Sequence, residues 1–293
     1  MTAIAVTPTA PGPRPLSDRE FRLFQRWIYA ETGINLTDAK RALLVGRLWR
    51  RVRELGCKTY EAYFTRVEGN DPAERVRLIN AICTHETQFF REPRQFEYLE
   101  ERCLPAWLAA ARAGTRSRTV RVWSAACSSG EEPFSIAMSL LSHLPAVEGW
   151  AVEIVATDIS TQVLARARDA IWPMARSDSI PGDYKRRFML RGRAAQEGKF
   201  AAGPELRRVV HFQQFNLHGE GGPTLGRFDL IFCRNVLIYF DQEGRRTVIN
   251  RLRQHLVPGG HLFLGHAESL NGIASDLKTV VPTVFRAPDA AAR

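Results

Sequence analysis

Apolar residues first recur at helical spacing just beyond a proline-rich start. Phe21, Phe24, Trp27 and Ile28 share one face of a helix that Ser17-Asp-Arg-Glu20 opens as a capping box and Gly33 stops. Thr37-Asp38 starts a second helix that runs to Leu55, with Gly56 as its stop. It turns Leu44, Leu48, Val52 and Leu55 inward and Lys40, Arg47, Arg50, Arg51 and Arg53 outward. Shorter helices near Tyr60 to Val67 and Pro72 to Cys83 complete an all-helical domain over 17–88. In the connector Thr84-His-Glu-Thr-Gln-Phe-Phe-Arg-Glu-Pro-Arg-Gln-Phe96, Phe89, Phe90 and Phe96 are expected to bury. Thr87 and Arg91 share a side if that segment is helical. Residues 89–117 read as a linker and lead-in helix.

From Thr119 the period changes. Short apolar runs alternate with amphipathic helices, which predicts an α/β fold with a mostly parallel sheet. Strands are expected near 119–126, 152–158, 209–216, 228–234 and 261–266, and helices near 133–143, 161–169 and 242–256. Lys278 to Val281 and Thr283 to Arg286 flank Pro282 as a closing hairpin. Residues 172–208 interrupt the alternation and are rich in Arg, Gly and Pro. They read as an inserted surface lobe within a domain spanning 118–286, because the stretch is long for a plain connection. Residues 1–16 and 287–293 read as tails, and the first of these lacks the basic start and apolar core of a secretory leader.

The stretch Arg121-Val-Trp-Ser-Ala-Ala-Cys-Ser-Ser-Gly-Glu-Glu-Pro133 passes from strand through small residues into a helix placed to open at Pro133. In open α/β sheets, ligands sit beyond the carboxyl ends of the strands. The turn lacks the three glycines of a pyrophosphate loop, which argues against a dinucleotide. It carries Glu131 and Glu132 at the helix start, where carboxylates repel a phosphate and favour a cationic ligand. A nucleoside with a sulfonium and an ammonium at its far end, S-adenosylmethionine, meets that requirement. The alternative is a capping box from Ser129 and Glu132. The second strand ends in Asp158, where nucleotide folds place an acid on ribose hydroxyls. Asn216, Arg234, Asn235 and Tyr239 fall at the same sheet edge.

Composition adds two constraints. A net charge of +10 calls for an acidic partner, either nucleic acid or an acidic protein surface. Five scattered cysteines without a Cys-x-x-Cys pair point to reduced thiols and a cytoplasmic setting, and to neither a disulfide frame nor a structural metal. No apolar run reaches the ~18 residues of a membrane span.

Five segments together resemble the CheR-type chemotaxis protein-glutamate methyltransferases. They are Thr87-Gln-Phe-Phe-Arg-Glu92, Val122-Trp-Ser-Ala-Ala126 with Gly130-Glu-Glu-Pro133, Ala156-Thr-Asp-Ile159, Phe232-Cys-Arg-Asn-Val-Leu-Ile-Tyr-Phe240, and Gly265-His-Ala-Glu-Ser269. The resemblance implies a Rossmann-like class I methyltransferase sheet, an all-α N-terminal domain and a small inserted β-subdomain. It implies S-adenosylmethionine as methyl donor, with contacts from His85, Thr87, Arg91, Glu132, Asp158, Asn216, Leu217, Arg234 and Asn235. His85 stands where the family usually has asparagine. The implied acceptors are glutamates on chemoreceptor cytoplasmic helices, steered in by the basic helix face. The β-subdomain, with Arg191-Gly192 and Glu197-Gly198, is similar to one that grips a receptor's C-terminal peptide in some members.

A glutamate, with a pKa near ~4.3, is already ionised at neutral pH, so no general base is needed. Arg91 is expected to orient a carboxylate, of substrate or cofactor, and Tyr239 to hold the reacting oxygen or wall the site. Two other readings stand beside this one: a nucleic-acid methyltransferase, and a scaffold that binds S-adenosylmethionine without turnover. The first lacks an Asn-Pro-Pro-Tyr-like segment, since Cys233-Arg-Asn-Val236 occupies that place.

Overall fold

The computed structural model describes residues 12–69, 71–219, 225–273 and 275–290. They divide into two compact units, Met1–Thr84 and His85–Arg293. Among the described residues no helix is long and apolar enough to cross a membrane.

The first unit holds α1 (Asp18–Thr32), α2 (Arg41–Glu54), α3 (Tyr60–Glu68) and α4 (Pro72–Ile82). Ser17 and Glu20 form the expected capping box, and Gly33 ends α1 at φ 73°. Buried Glu20 also accepts from Glu61 N, which ties the start of α1 to α3. Phe21, Phe24, Ile28, Leu44, Leu48, Val52, Tyr63 and Phe64 make the core, with Phe24 edge-on to Phe64 at 5.1 Å. Two expectations change. Thr37 makes no side-chain cap bond, so Asp38–Lys40 is a 3-10 turn and α2 starts at Arg41. Leu55 is its half-buried cap rather than a core residue. The tail expected over 1–16 lies outside the described residues to position 11; beyond it, Arg14 N donates to Lys58 O and the Arg14 guanidinium holds Glu20.

The second unit opens with α5 (Pro93–Tyr98), a π turn (Leu99–Cys103) and α6 (Leu104–Arg112). Pro105 offers no N–H and crowds the carbonyl four residues back; the helix widens before it, and Leu104 N donates to Leu99 O. The sheet and its helices follow as β1 (Thr119–Ala125), α7 (Glu131–His143), β2 (Ala151–Asp158), α8 (Thr161–Asp169), β3 (Ile171–Pro173), α9 (Gly182–Phe188), β4 (Met189–Arg191), β5 (Lys199–Ala202), α10 (Pro204–Val209), β6 (Val210–Gln214), β7 (Phe228–Cys233), α11 (Gln242–Gln254), β8 (Leu256–Leu264), β9 (Lys278–Val281) and β10 (Val284–Arg286).

Seven strands form the main sheet in the order β6-β2-β1-β7-β8-β10-β9. The first five are parallel and the closing hairpin is antiparallel. The order reverses at β1, so the crevice beyond its carboxyl end is the ligand position for such a sheet. Buried residues pack on both faces, including Val122, Phe134, Leu140 and Phe232 on one and Trp123, Ile231, Val248 and Leu252 on the other. Trp123 fixes the β1–β2 pairing further, its indole N–H donating to Thr157 at 2.9 Å.

The inserted lobe is a three-stranded antiparallel sheet, β3-β5-β4, with α9 between its strands. It starts at Ile171, and beyond β5 the chain returns through α10, which lies against α7. β8 starts at Leu256 rather than 261, because Pro258-Gly-Gly260, a turn signal by sequence, is carried inside an irregular strand. The tail expected from Ala287 is held at first: Ala287 N donates to Gly260 O and Gly259 N to Pro288 O. Residues 291–293 lie outside the described residues.

His261 on β8 is buried beside Tyr98, at 3.3 Å from its hydroxyl. Burial and the nearby Arg286 charge lower its pKa from 6.5 to about 4. The folded chain therefore takes this proton later than the unfolded chain. Its contribution to stability is intact above pH 6.5 and is lost as pH falls toward 4. We expect the unfolding midpoint to drop across that window, and His261→Gln to flatten the drop by up to about 3 kcal/mol. Urea titrations of both proteins at pH 7 and pH 4.5 measure it; parallel slopes would refute the assignment.

Candidate active site

The turn between β1 and α7 is built from strained backbone. Ala126, Ser128 and Gly130 have φ of 63°, 50° and 97°. A Cβ on Gly130 would sit 3.2 Å from Ala167 Cβ and 3.4 Å from the Phe134 ring, so only glycine lets α7 start this close to α8. α7 begins at Glu131, two residues before the expected Pro133, with Gly130 as its cap. No Ser129–Glu132 capping box forms; the Ser129 hydroxyl instead donates to Glu131 Oε2 at 2.7 Å.

Asp158, at the end of β2, braces this turn. Its Oδ2 accepts from Ser128 N and its Oδ1 from Ser160 N, each at 2.9 Å. Burial raises the Asp158 carboxyl above its ordinary range, and these N–H groups partly oppose that. Two oxygens with about four lone-pair positions still have acceptor capacity left. Cys127 in the turn and Cys233 at the end of β7 are buried, and burial raises both thiols far above their ordinary range.

The centre of the crevice is an ion pair. Arg234 Nε donates to Glu132 Oε2 at 2.7 Å, with side chains only 2% and 9% exposed. Ser124 Oγ donates to the other Glu132 oxygen at 2.7 Å. Arg234 Nη1 donates to Arg91 O at 2.6 Å and to Gln95 Oε1 at 3.1 Å, while Gln95 Nε2 donates to Leu264 O. One guanidinium thus links the start of α7, the end of β7 and the 91–95 segment. Phe96 and Phe232 flank it.

Below it, Glu268 takes three backbone N–H groups: Asn235 at 2.9 Å, Leu237 at 2.7 Å and Gly265 at 2.6 Å. Burial raises its pKa and these bonds oppose the rise. They hold Asn235 at φ 58° and set the 3-10 turn Leu237–Tyr239, which leaves Tyr239 half-buried. Glu92, at φ 58°, accepts from His266 N at 3.0 Å and from Asn235 Nδ2 at 3.5 Å. Among the described residues, Glu92 Oε2 and Asn235 Oδ1 are both buried acceptors without a donor.

The 84–92 segment is irregular, so Thr87 and Arg91 do not share a helical side. Arg91 Nη1 donates to Glu86 O at 3.1 Å rather than pairing with Glu92 or Glu97. Phe89, Phe90 and Phe96 are buried as expected. Ser128 Oγ donates to His85 O, which lays the segment beside the turn. On the other flank, Arg251 of α11 donates to the carbonyls of Asn216, Leu217 and Gly219 and so shapes the turn after β6.

Sequence reasoning missed Gln95, Arg251 and Glu268 as supports. Glu268 had a signal, an acid just past the last parallel strand in Gly265-His-Ala-Glu-Ser269; Arg251 had none, since it looks like any exposed helical arginine. In the helical unit, Arg50 and Arg53 are exposed, Arg53 lying over the Trp49 ring. Arg47 instead donates to the carbonyls of Ile82 and Cys83, and Arg51 is paired to buried Glu74, so both are used within the bundle.

Comparison with known families bears on this geometry. Residues 85–285 match the CheR methyltransferase, SAM binding domain, and residues 19–83 match the CheR methyltransferase, all-alpha domain. The chain is 38% identical to Chemotaxis protein methyltransferase 2 of Pseudomonas aeruginosa, over 91% of this chain and 92% of the relative. It is 39% identical to the Chemotaxis protein methyltransferase of Escherichia coli, covering 87% and 86%. The Salmonella typhimurium protein of the same name is 37% identical, covering 92% and 90%.

Removing one partner of a buried pair strands the other charge. We expect Arg234→Ala to cost about 3–5 kcal/mol of stability, and Glu132→Gln with Arg234→Met together to cost less than the sum of the two single changes. A double-mutant cycle by urea unfolding checks it; additive losses would show that the two side chains do not act as a pair.

Proposed function

Because the chain belongs to the CheR methyltransferase family, we propose that it transfers the methyl group of S-adenosylmethionine to glutamate side chains on chemoreceptor cytoplasmic helices. The observation that carries this is the joint match of both family domains over nearly the whole chain, with relatives named chemotaxis protein methyltransferases.

The residues fit the cofactor. Its ammonium and sulfonium suit a crevice whose walls carry Glu132 and Asp158, and buried acceptors on Glu92 and Asn235 suit a ligand that brings N–H donors. In this reading Asp158 keeps acceptor capacity for ribose hydroxyls, and Asn216 and Leu217 border the base. His85, Thr87 and Arg91 approach from the segment before α5, and Arg234 and Asn235 from the end of β7. When bound, the cofactor supplies a methyl carbon made electrophilic by its sulfonium.

The chain's own residues have a modest chemical task. A glutamate carboxylate is a nucleophile without deprotonation, so positioning dominates. Among the described residues Arg91 makes no ion pair with an acidic side chain, which leaves it to orient a carboxylate. Tyr239, at the rim of the turn set by Glu268, holds the reacting oxygen or walls it from water. Arg234 holds Glu132 in place at the start of α7, which fixes this wall of the crevice.

On the helical unit, exposed Arg50 and Arg53 with half-buried Lys40 form the basic face proposed to meet acidic receptor helices in the cytoplasm. Arg47 and Arg51 support that face more than they contact a partner. The inserted β-subdomain is the proposed seat of a receptor C-terminal peptide.

Labelled methyl transfer to a receptor cytoplasmic fragment tests the reaction. Label released as methanol in mild base is the expected result, since carboxyl methyl esters hydrolyse there; base-stable label would move nucleic acid to the front, and bound cofactor without transfer would favour a scaffold. We expect Arg91→Ala to lower turnover by about 10²-fold, the scale of a lost orienting contact, and Tyr239→Phe to lower it less. Raising salt from 50 to 300 mM should slow receptor methylation strongly and leave cofactor affinity nearly unchanged. Equal salt sensitivity of the two would count against the docking face.

A further inference from the structure

The segment His85 to Phe90 carries two of the proposed cofactor contacts, yet it has no regular structure of its own. Side chains hold its backbone. Ser128 Oγ donates to His85 O at 3.1 Å, Arg91 Nη1 to Glu86 O at 3.1 Å, and Arg176 Nη1 to Thr87 O at 2.6 Å. Phe90 N donates to Ser135 Oγ at 2.9 Å. Ser128 and Ser135 belong to the β1–α7 turn and α7. Arg176 comes from elsewhere, the 3-10 turn Met174–Ser179 of the inserted lobe.

The lobe touches the same segment at three further places. Phe89 lies edge-on to Trp172 of β3 at 5.0 Å and 5.8 Å from Phe200 of β5. Phe90 stacks on Tyr184 of α9 at 5.4 Å. The Arg176 guanidinium also lies 3.5 Å from Glu131 Oε1. Glu131 is the first residue of α7 and is 1% exposed; its other oxygen accepts from Ser129. One lobe cation therefore bridges the Thr87 carbonyl and the acid that opens the helix of the crevice.

We propose that Arg176 is a positioning residue through which the inserted lobe sets the affinity for S-adenosylmethionine. The proposal rests on the reading of Thr87 as a cofactor contact. Arg176 is half-exposed, so as a surface ion pair it would matter little. Its effect comes from what it restrains. A segment held by side chains rather than by a helix or strand ladder loses order when one of those ties is cut, and apparent affinity falls in proportion to the fraction still in the binding geometry. A segment in place a tenth of the time binds about ten-fold more weakly.

The test uses the full chain and calorimetric binding of S-adenosylhomocysteine, with steady-state kinetics beside it. Arg176→Ala should raise the dissociation constant about ten-fold and raise KM for S-adenosylmethionine in parallel. Turnover at saturating cofactor and KM for the receptor fragment should stay within about two-fold, a split that general loosening would not produce. Arg176→Lys, which can reach the carbonyl but bridges poorly, should fall between, and it keeps the measurement available if the alanine variant folds badly. Arg186→Ala is the control, because that lobe arginine is exposed and pairs with exposed Asp183. Wild-type affinity in both Arg176 variants, or equal weakening by Arg186→Ala, would overturn the proposal. Thr87→Ala separates the two levels: if it leaves binding unchanged, the reading of Thr87 fails; if it weakens binding while Arg176→Ala does not, the latch alone fails.

Discussion

A buried guanidinium facing a buried carboxylate governs this crevice. Desolvating Arg234 and Glu132 is expensive, and the pair is offset by further partners: Ser124 on one side, Arg91 O and Gln95 on the other. That requirement ties four distant stretches of chain to one point. The start of α7, the end of β7, the segment before α5 and, through Gln95, the end of β8 cannot shift independently. A pair that is weak evidence for stability is here strong evidence for a fixed geometry.

Around that point the fold repeats one device. A buried acid takes backbone N–H groups from a turn that has little regular structure of its own. Asp158 does so for the β1–α7 turn and Glu268 for the loop after β7, while half-buried Glu92 takes the N–H of His266. Each carboxylate replaces a missing ladder of hydrogen bonds with a single many-handed acceptor. The turns can then hold left-handed residues such as Ser128 and Asn235, which a freer backbone would relax.

Much of this was legible in the sequence. Strand and helix periods gave the order of elements, and Ser17 to Glu20 gave a helix start correctly because a capping box is a purely local agreement. The same local logic failed at Ser129 and Glu132. There the spacing was right, but Gly130 took the cap and Arg234, far away in sequence, claimed Glu132. It failed again in the basic helix, where residue type showed a charged stripe but not that Arg47 and Arg51 turn back onto Cys83 and Glu74. β8 begins at Leu256, ahead of the expected 261, because Leu256 pairs with Phe228 of β7, a partner that no local pattern shows. Each miss lies where a long-range partner outweighed a short-range pattern.

The buried thiols of Cys127 and Cys233 bear on selectivity between nucleophiles. A sulfonium methyl donor alkylates thiolates more readily than carboxylates, and Cys127 sits in the turn that frames the proposed cofactor crevice. Its burial, with Asp158 and Glu132 nearby, favours the protonated thiol, and burial with Glu268 and Glu132 does the same for Cys233. A protonated thiol is a poor competitor. The acids that shape the crevice therefore also silence the sulfur beside it, so that the softest nucleophile in the turn framing the proposed crevice is withheld from a methyl donor without being removed from the chain.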